Sequence, residues 1–381
     1  MAGIYLHIPY CRKACYYCDF HFSTTHKSVN EMIDAMRNEI CLRKDYLDSQ
    51  SIETIYFGGG TPSVLTIDQI KFLLNEVKNN FNITSEAEIT LEANPEDIND
   101  LFASDLLDLG FNRISLGVQS FNNELLKSLN RAHNSIQAES AIRTLQKAGF
   151  ENITIDLIYG IPNQGIEEWT NNLKKVISLD IPHLSCYALT IEERTVWGNW
   201  LRKGKIEPIA DEKYEAEYQI MCKVLNDHGY EHYEISNFAI AGFESKHNTA
   251  YWQHKSYLGI GPGAHSFNQI TRHYNIENNA TYIKKLKNDI LPIKTEHLTR
   301  EDQFNEYLLT GLRTNRGIDF DYIKTVYAVD ILEEHREFID QCVSEGIATL
   351  KDRKFVLEEN SFLIANSIIV EFMANDGDTE V

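Results

Sequence analysis

Three cysteines fall within eight residues, in the run Cys11-Arg12-Lys13-Ala14-Cys15-Tyr16-Tyr17-Cys18. Three thiols this close cannot all pair as disulfides, but they can converge on one soft metal centre, which thiolates favour. Two centres suit them. An iron–sulfur cubane normally takes four cysteines. Three would leave one iron without a protein ligand, and an open coordination position marks a reactive centre rather than a structural one. A structural zinc ion takes four ligands, and His7 or His21 could supply the fourth. The spacing alone does not choose between them. The other cysteines, Cys41, Cys186, Cys222 and Cys342, are scattered, so the loop stands apart from any general cysteine framework.

The loop follows an apolar run, 4–8, that reads as a first strand ended by Pro9, because proline cannot donate to a sheet ladder. Further strands are predicted at 52–57, 88–91, 113–118, 153–158 and 184–189. They alternate with helical periodicity at 28–47, 67–77, 101–109, 123–129, 136–148 and 166–177. Gly110 and Gly149 close two of these helices. Such alternation implies parallel strands with helical crossovers. The predicted fold class is therefore α/β, a partial (β/α)6 TIM-like barrel. The glycine turn Gly58-Gly59-Gly60-Thr61 lacks the GxGxxG spacing of a dinucleotide fingerprint and follows the second strand. Barrel strands end on one face, where active sites are built. Gly59, Gly60, Thr61, Glu92, Gln119 and Asp156 should therefore meet near the thiol loop.

Three regions follow: the barrel at 1–190, an extension at 191–295 completing one side of it, and a C-terminal helical domain at 296–381. In the extension, an amphipathic helix starts with Asp211 as N-cap and stops at Gly229, and the run 257–260 reads as a strand ending in a glycine turn. The chain leaves the barrel near Leu291-Pro292. Thr299 then caps a helix, helical patterns cover 320–327 and 331–345, a hairpin covers 348–357, and a last helix runs over 361–373. This order resembles a winged-helix module. The abundance of Asp and Glu in it favours a lid or partner surface over DNA binding, and the acidic tail 375–381 is expected to fray.

The net charge of −20 over 381 residues excludes a general nucleic-acid surface. No stretch has the apolar length of a membrane span, and the N-terminus runs into a strand without a signal region. Seven mostly unclustered cysteines argue against a secreted disulfide scaffold. The expected location is the cytoplasm. Arg12 and Lys13 either attract an acidic electron donor or are solvated loop charges. Arg131 suits a carboxylate, because its planar fork pairs with two oxygens; its alternative is a surface charge.

The loop resembles the C-x3-C-x2-C signature of the radical S-adenosylmethionine (SAM) superfamily, with the aromatic Tyr17 just before the third cysteine. Four further runs, 5–11, 58–62, 117–121 and 156–162, resemble the oxygen-independent coproporphyrinogen III oxidase family of that superfamily. The resemblance implies a radical SAM barrel with a [4Fe–4S] cluster on Cys11, Cys15 and Cys18. It also implies SAM contacts from Tyr5, Tyr17, Gly59, Gly60, Thr61, Glu92, Gln119, Arg131 and Asp156. Two departures stand out. The oxidase proper carries an extension before the first strand, whereas Tyr5 here is almost the first residue. The oxidase has a fourth cysteine where this chain has Phe20. Cys18-Asp19-Phe20, and the H-N-x-x-Y-W run His247-Asn248-Thr249-Ala250-Tyr251-Trp252, are similar to the haem chaperone branch of the family. That branch implies haem as cargo bound through His247, since imidazole is a usual axial ligand, and an apo-haemoprotein as acceptor. From the residues alone, His247 and Asn248 instead cap a loop while Tyr251 and Trp252 fill core. The alternative function is oxidative decarboxylation of coproporphyrinogen III. Either function implies a flavodoxin- or ferredoxin-type electron donor, no nucleic acid, and at most peripheral contact with a membrane.

Overall fold

The computed structural model describes residues 2–373. Its centre is a twelve-stranded sheet in the order β12-β11-β10-β9-β1-β2-β3-β4-β5-β6-β8-β7. The strands are β1 Ala2–Ile8, β2 Ile52–Gly59, β3 Ile83–Ala93, β4 Arg113–Gln119, β5 Asn152–Tyr159, β6 His183–Ala188, β7 Glu231–Glu234, β8 Asn237–Ala239, β9 Tyr257–Ile260, β10 His265–Phe267, β11 Thr271–Asn275 and β12 Ile293–His297. Strands β1 to β6 pair in parallel and in sequence order. Parallel strands need crossovers, and the helices Val29–Leu42, Ile67–Asn80, Asp100–Leu109, Ser135–Ala148 and Ile166–Ser178 supply them. Strands β1 to β6 are covered on both faces; every residue of β4 is buried, including Arg113, Ser115 and Gln119.

Helix boundaries follow local chemistry. Thr66 with Gln69, and Asn134 with Gln137, form reciprocal caps at two N-termini. Gly110 and Gly149 end two helices in the left-handed region, at φ +96° and +113°. Where a sequence signal was weak, the structure differs. The helix expected to start on an Asp211 cap is Asp211–Asn226, and its N-cap is Ala210, with no side-chain cap. The first helix ends at Leu42 rather than Leu47; Leu47 is still buried, as part of a turn.

The segment after residue 190 extends both edges of the sheet rather than one. Strands β8 and β7 add antiparallel beside β6, while β9 pairs in parallel with β1 and carries β10, β11 and β12 beyond it. The chain also stays in the sheet past Pro292, through β12. These strands are three to five residues long, too short for a clear alternation of apolar and polar residues.

The C-terminal segment holds a second sheet, β13-β15-β14, from β13 Ile318–Asp319, β14 Ala348–Lys351 and β15 Lys354–Leu357. With helices Arg300–Gly311, Phe320–Tyr327, Ile331–Glu334 and Arg336–Ser344, the order is helix, strand, helices, hairpin, as in a winged-helix module. A 3-10 turn, Glu359–Ile364, precedes the helix Ala365–Phe372. The expected acidic tail lies outside the described residues. No described helix is long and apolar enough to cross a membrane.

One buried charged group ties β9 to β11 to the outer helices. Glu39 accepts from Gly261 N (2.9 Å), Asn275 Nδ2 (2.8 Å), Tyr282 Oη and Arg43 Nη1 (3.2 Å). Arg43 also donates to Gly259 O and Ser266 Oγ. Both side chains are almost fully buried. Breaking such a pair leaves an uncompensated charge, so Arg43→Met should cost about 3–5 kcal/mol of unfolding free energy. Urea denaturation followed by circular dichroism measures this.

Candidate metal and cofactor site

Register places the site. Ile8 lies beside Gly59, Phe57 beside Leu91, Glu92 beside Ser115, and Gly117 beside Asp156. The strand ends that carry polar groups therefore open on one face. The cysteine loop lies across that face, held by its backbone: Cys11 N to Ser23 O (3.0 Å), Ser23 N to Pro9 O (2.9 Å) and Tyr16 N to Leu129 O (3.2 Å). Asn130 Nδ2 also donates to Ala14 O (2.7 Å).

Cys11, Cys15 and Cys18 are free thiols of intermediate exposure. Thr61 Oγ1 donates to Cys11 Sγ (3.4 Å), and Arg131 Nη1 donates to Cys15 Sγ (3.3 Å). Burial raises the Cys11 thiol to about 12 and Cys18 to about 11, with the neighbouring cysteines adding to both and Arg131 opposing. Gly60 has no room for a side chain: a Cβ would sit 2.7 Å from Tyr10 O and 3.0 Å from Cys11 Sγ. Gly59 adopts φ +112°, and its Cβ would strike His7 at 2.7 Å.

A single zinc ion does not fit this loop. Zn–S and Zn–N bonds of about 2.0–2.3 Å set ligand separations of roughly 3.3–3.8 Å. Among the described residues, the three thiols form no group with mutual spacing within 4.8 Å, alone or with a histidine. His7 is engaged on both nitrogens, with Tyr5 Oη (3.1 Å) and His21 O (3.0 Å), and His21 Nε2 meets Asn279 Oδ1 (2.8 Å). Burial drives His7 down to about 4, so it is neutral. Three thiols that do not close to single-ion spacing fit a larger, multi-iron centre with one iron free of protein ligands.

Arg131 is no surface charge. Its Nη2 donates to Gly117 O (2.6 Å) and Asn94 Oδ1 (2.5 Å), beside Tyr17 and Cys15. Gln119 Nε2 and Arg131 Nη2 both close over Gly117, and Gln119 holds φ +69°, a strained value for a residue with a side chain. Deeper in, Glu92 accepts from Tyr56 Oη (2.9 Å) and Gly59 N (3.1 Å). Burial raises Glu92 to about 8, with Asp156 adding to the shift. Asp156 itself, bonded to Ser115 Oγ (3.2 Å), is raised by burial to about 6. Tyr5 stacks on Tyr56 at 6.0 Å.

Arg12 is half exposed, and its guanidinium pairs with the buried Asp97 at 2.5 Å, a residue also held by Ser63 Oγ. His247, expected to ligate haem iron, is 2% exposed. Its Nδ1 bonds Thr54 Oγ1 (2.8 Å), its Nε2 bonds Tyr251 Oη (2.8 Å), and its ring stacks on Tyr56 at 4.8 Å. It belongs to a helix, Lys246–Trp252, that was not predicted; Ser245 and Glu88 cap its N-terminus. Both ring nitrogens of His247 are hydrogen-bonded in this fold. Sequence reasoning missed Tyr56, Asn94 and Asp97. Asn94 and Asp97 follow β3 and Tyr56 alternates with Phe57 along β2, so strand-end position was the only available signal.

A family profile for the radical SAM superfamily matches residues 5–176. Radical SAM domains carry a [4Fe–4S] cluster and SAM, the class of centre that the loop geometry admits. The chain is 35% identical over 373 residues to the heme chaperone HemW of Lactococcus lactis subsp. lactis (strain IL1403), covering 98% of this chain and 97% of that protein. It is 31% identical to heme chaperone HemW of Bacillus subtilis (strain 168), covering 98% and 99%, and 36% identical to that of Escherichia coli (strain K12), covering 69% of each. The chain belongs to the HemW family of radical SAM proteins. In fold it matches coproporphyrinogen III oxidase (HemN) from Escherichia coli, with a TM-score of 0.83 at 24% identity, covering 97% of this chain and 89% of that one.

Glu92 gives a pH test. Its carboxyl is raised from 4.5 to about 8 in the fold, so between those values the unfolded state sheds a proton that the folded state keeps. The ligand-free protein should therefore lose stability, relative to Glu92→Gln, as pH rises from about 4.5 to about 8, by a few kcal/mol, and the difference should level off above that. Urea unfolding of both proteins across this pH range measures it.

Proposed function

We propose that this chain binds haem and transfers it to apo-haemoproteins, while a cluster and SAM sit at the barrel mouth. The observation that carries the reading is the end-to-end similarity to heme chaperone HemW proteins. Cys11, Cys15 and Cys18 would hold the [4Fe–4S] cluster, which when bound supplies one electron and an iron free to chelate SAM. Arg131 fixes Cys15 and orders β4 beneath it. Tyr17 and Gln119 close the site from above, and Gly59, Gly60 and Thr61 leave room for an amino acid moiety. Glu92 and Asp156, both able to lose a proton near neutral pH, would face an ammonium or ribose hydroxyls, with Tyr5 packed alongside. A flavodoxin- or ferredoxin-type protein would supply the electron.

Haem is planar, apolar and edged by two carboxylates. A cleft of 1290 Å³ between the opposite end of the barrel and the C-terminal segment has room for such a ligand. Trp252, Tyr307 and Tyr322 offer it aromatic faces, and Lys246 and Arg316 stand among acidic residues of the same lining. His254 also lines it: its Nε2 meets Thr310 Oγ1 at 2.6 Å, and its Nδ1 has no hydrogen bond among the described residues. In this fold His254, rather than the buried His247, presents an imidazole to the cleft.

Anaerobic hemin titration tests the reading. The expected result is stoichiometric uptake with an imidazole-ligated spectrum, weakened about tenfold or more by His254→Ala, and transfer to an apo-haemoprotein. Loss with His247→Ala instead would mean that the helix Lys246–Trp252 opens to bind. No uptake, together with conversion of coproporphyrinogen III in the presence of SAM and a reductant, would replace the chaperone reading with the oxidase.

A further inference from the structure

Far from the thiol loop in sequence, Cys222, His232 and Glu359 converge on one another. Cys222 lies on the helix Asp211–Asn226, His232 on β7, and Glu359 opens the 3-10 turn Glu359–Ile364. One sulfur, one nitrogen and one oxygen, one from each, all lie within 4.8 Å of one another. This is a donor set that zinc takes in three-ligand sites, where bonds of about 2.0–2.3 Å give ligand separations of roughly 3.3–3.8 Å.

The second observation is His232 itself. Its side chain is 3% exposed, and neither ring nitrogen has a hydrogen-bond partner. Buried polar atoms are almost always satisfied. Nδ1 lies at ion-pair distance, 3.2 Å, from Glu359 Oε1, while Nε2 has no partner among the described residues.

The surroundings hold both groups still. The imidazole stacks on Phe238 at 3.9 Å and 12°, with Phe362 edge-on at 5.0 Å. Asn226 Nδ2 donates to Glu359 Oε2 (2.7 Å), which turns Oε1 toward His232, and Tyr218 Oη donates to the Glu359 carbonyl (2.6 Å). Ligands of a metal are supported in this way by an outer layer of hydrogen bonds. A thiolate, a carboxylate and a neutral imidazole sum to −2, so a divalent cation leaves the buried site neutral.

We propose that Cys222, His232 and Glu359 form a zinc site, separate from the thiol loop, that fastens the helix Asp211–Asn226 and β7 to the C-terminal segment. On binding, the Cys222 thiol releases its proton to solvent and no electron moves. Three protein ligands leave a fourth position for water.

The test uses the full chain with Cys11, Cys15 and Cys18 changed to Ser, so that the loop cannot compete. Zn2+ and Co2+ are titrated as the metals alone. The expected result is about one ion per chain, a thiolate-to-cobalt charge-transfer band, and a rise in Tm with Zn2+. Adding Cys222→Ser should abolish the band, and adding His232→Gln should reduce stoichiometry to about none. Glu359→Gln, at a partly exposed position, keeps the fold and should weaken zinc binding by about tenfold or more. The proposal is overturned if the parent takes up no zinc, or if Glu359→Gln binds it with the affinity of the parent. Because the loop cysteines are absent throughout, neither outcome bears on the cluster or on haem.

Discussion

A guanidinium buried at the mouth of the barrel holds the site together. Arg131 reaches a cysteine sulfur, a backbone carbonyl of β4 and the side chain that follows β3. It does so among acidic and thiol groups that would repel one another once ionised. Thiolates are needed for a metal, and burial opposes their formation; a cation among them lowers that cost. The loop, the strand ends and the short helix before Arg131 are thus coupled through one side chain. The parallel register below it sets which strand ends come within its reach.

Much of this was legible in sequence, for reasons that differ by element. The parallel core announced itself because short β-branched and aliphatic runs alternate with long amphipathic helices. Residues 153–158 and 166–177 illustrate the pair. The strand-end rule then collected Gly59, Thr61, Glu92, Gln119 and Asp156 from positions far apart. The added strands β7, β8, β10 and β11 were not legible, since strands of three to five residues carry too little period. The helix Lys246–Trp252 was missed because its seven residues end in aromatics and its cap, Glu88, comes from another strand. His247 shows the limit of motif reading. A run of residues names the neighbourhood, but only the fold reveals that Thr54 and Tyr251 already occupy both ring nitrogens.

The two ends of the barrel divide the chemistry. The face at the C-terminal strand ends gathers thiols, carboxylates and the buried arginine. The opposite end, against the C-terminal segment, offers a cleft lined by aromatic rings and by charges of both signs. Tyr5, Tyr56 and His247 form a ring stack between them, from 4.8 to 6.4 Å centre to centre. A change at the mouth that moves Tyr56 would therefore press directly on the helix Lys246–Trp252, which lines the cleft.

The central claim is that three thiols beneath Arg131 hold an iron–sulfur cubane with one iron left for SAM. Electron paramagnetic resonance of the anaerobically reconstituted, dithionite-reduced protein tests it most directly. The account predicts about four irons per chain and a [4Fe–4S]+ signal whose g-values shift when SAM is added. Colourless protein carrying zinc on the loop, or a cluster signal indifferent to SAM, would contradict it.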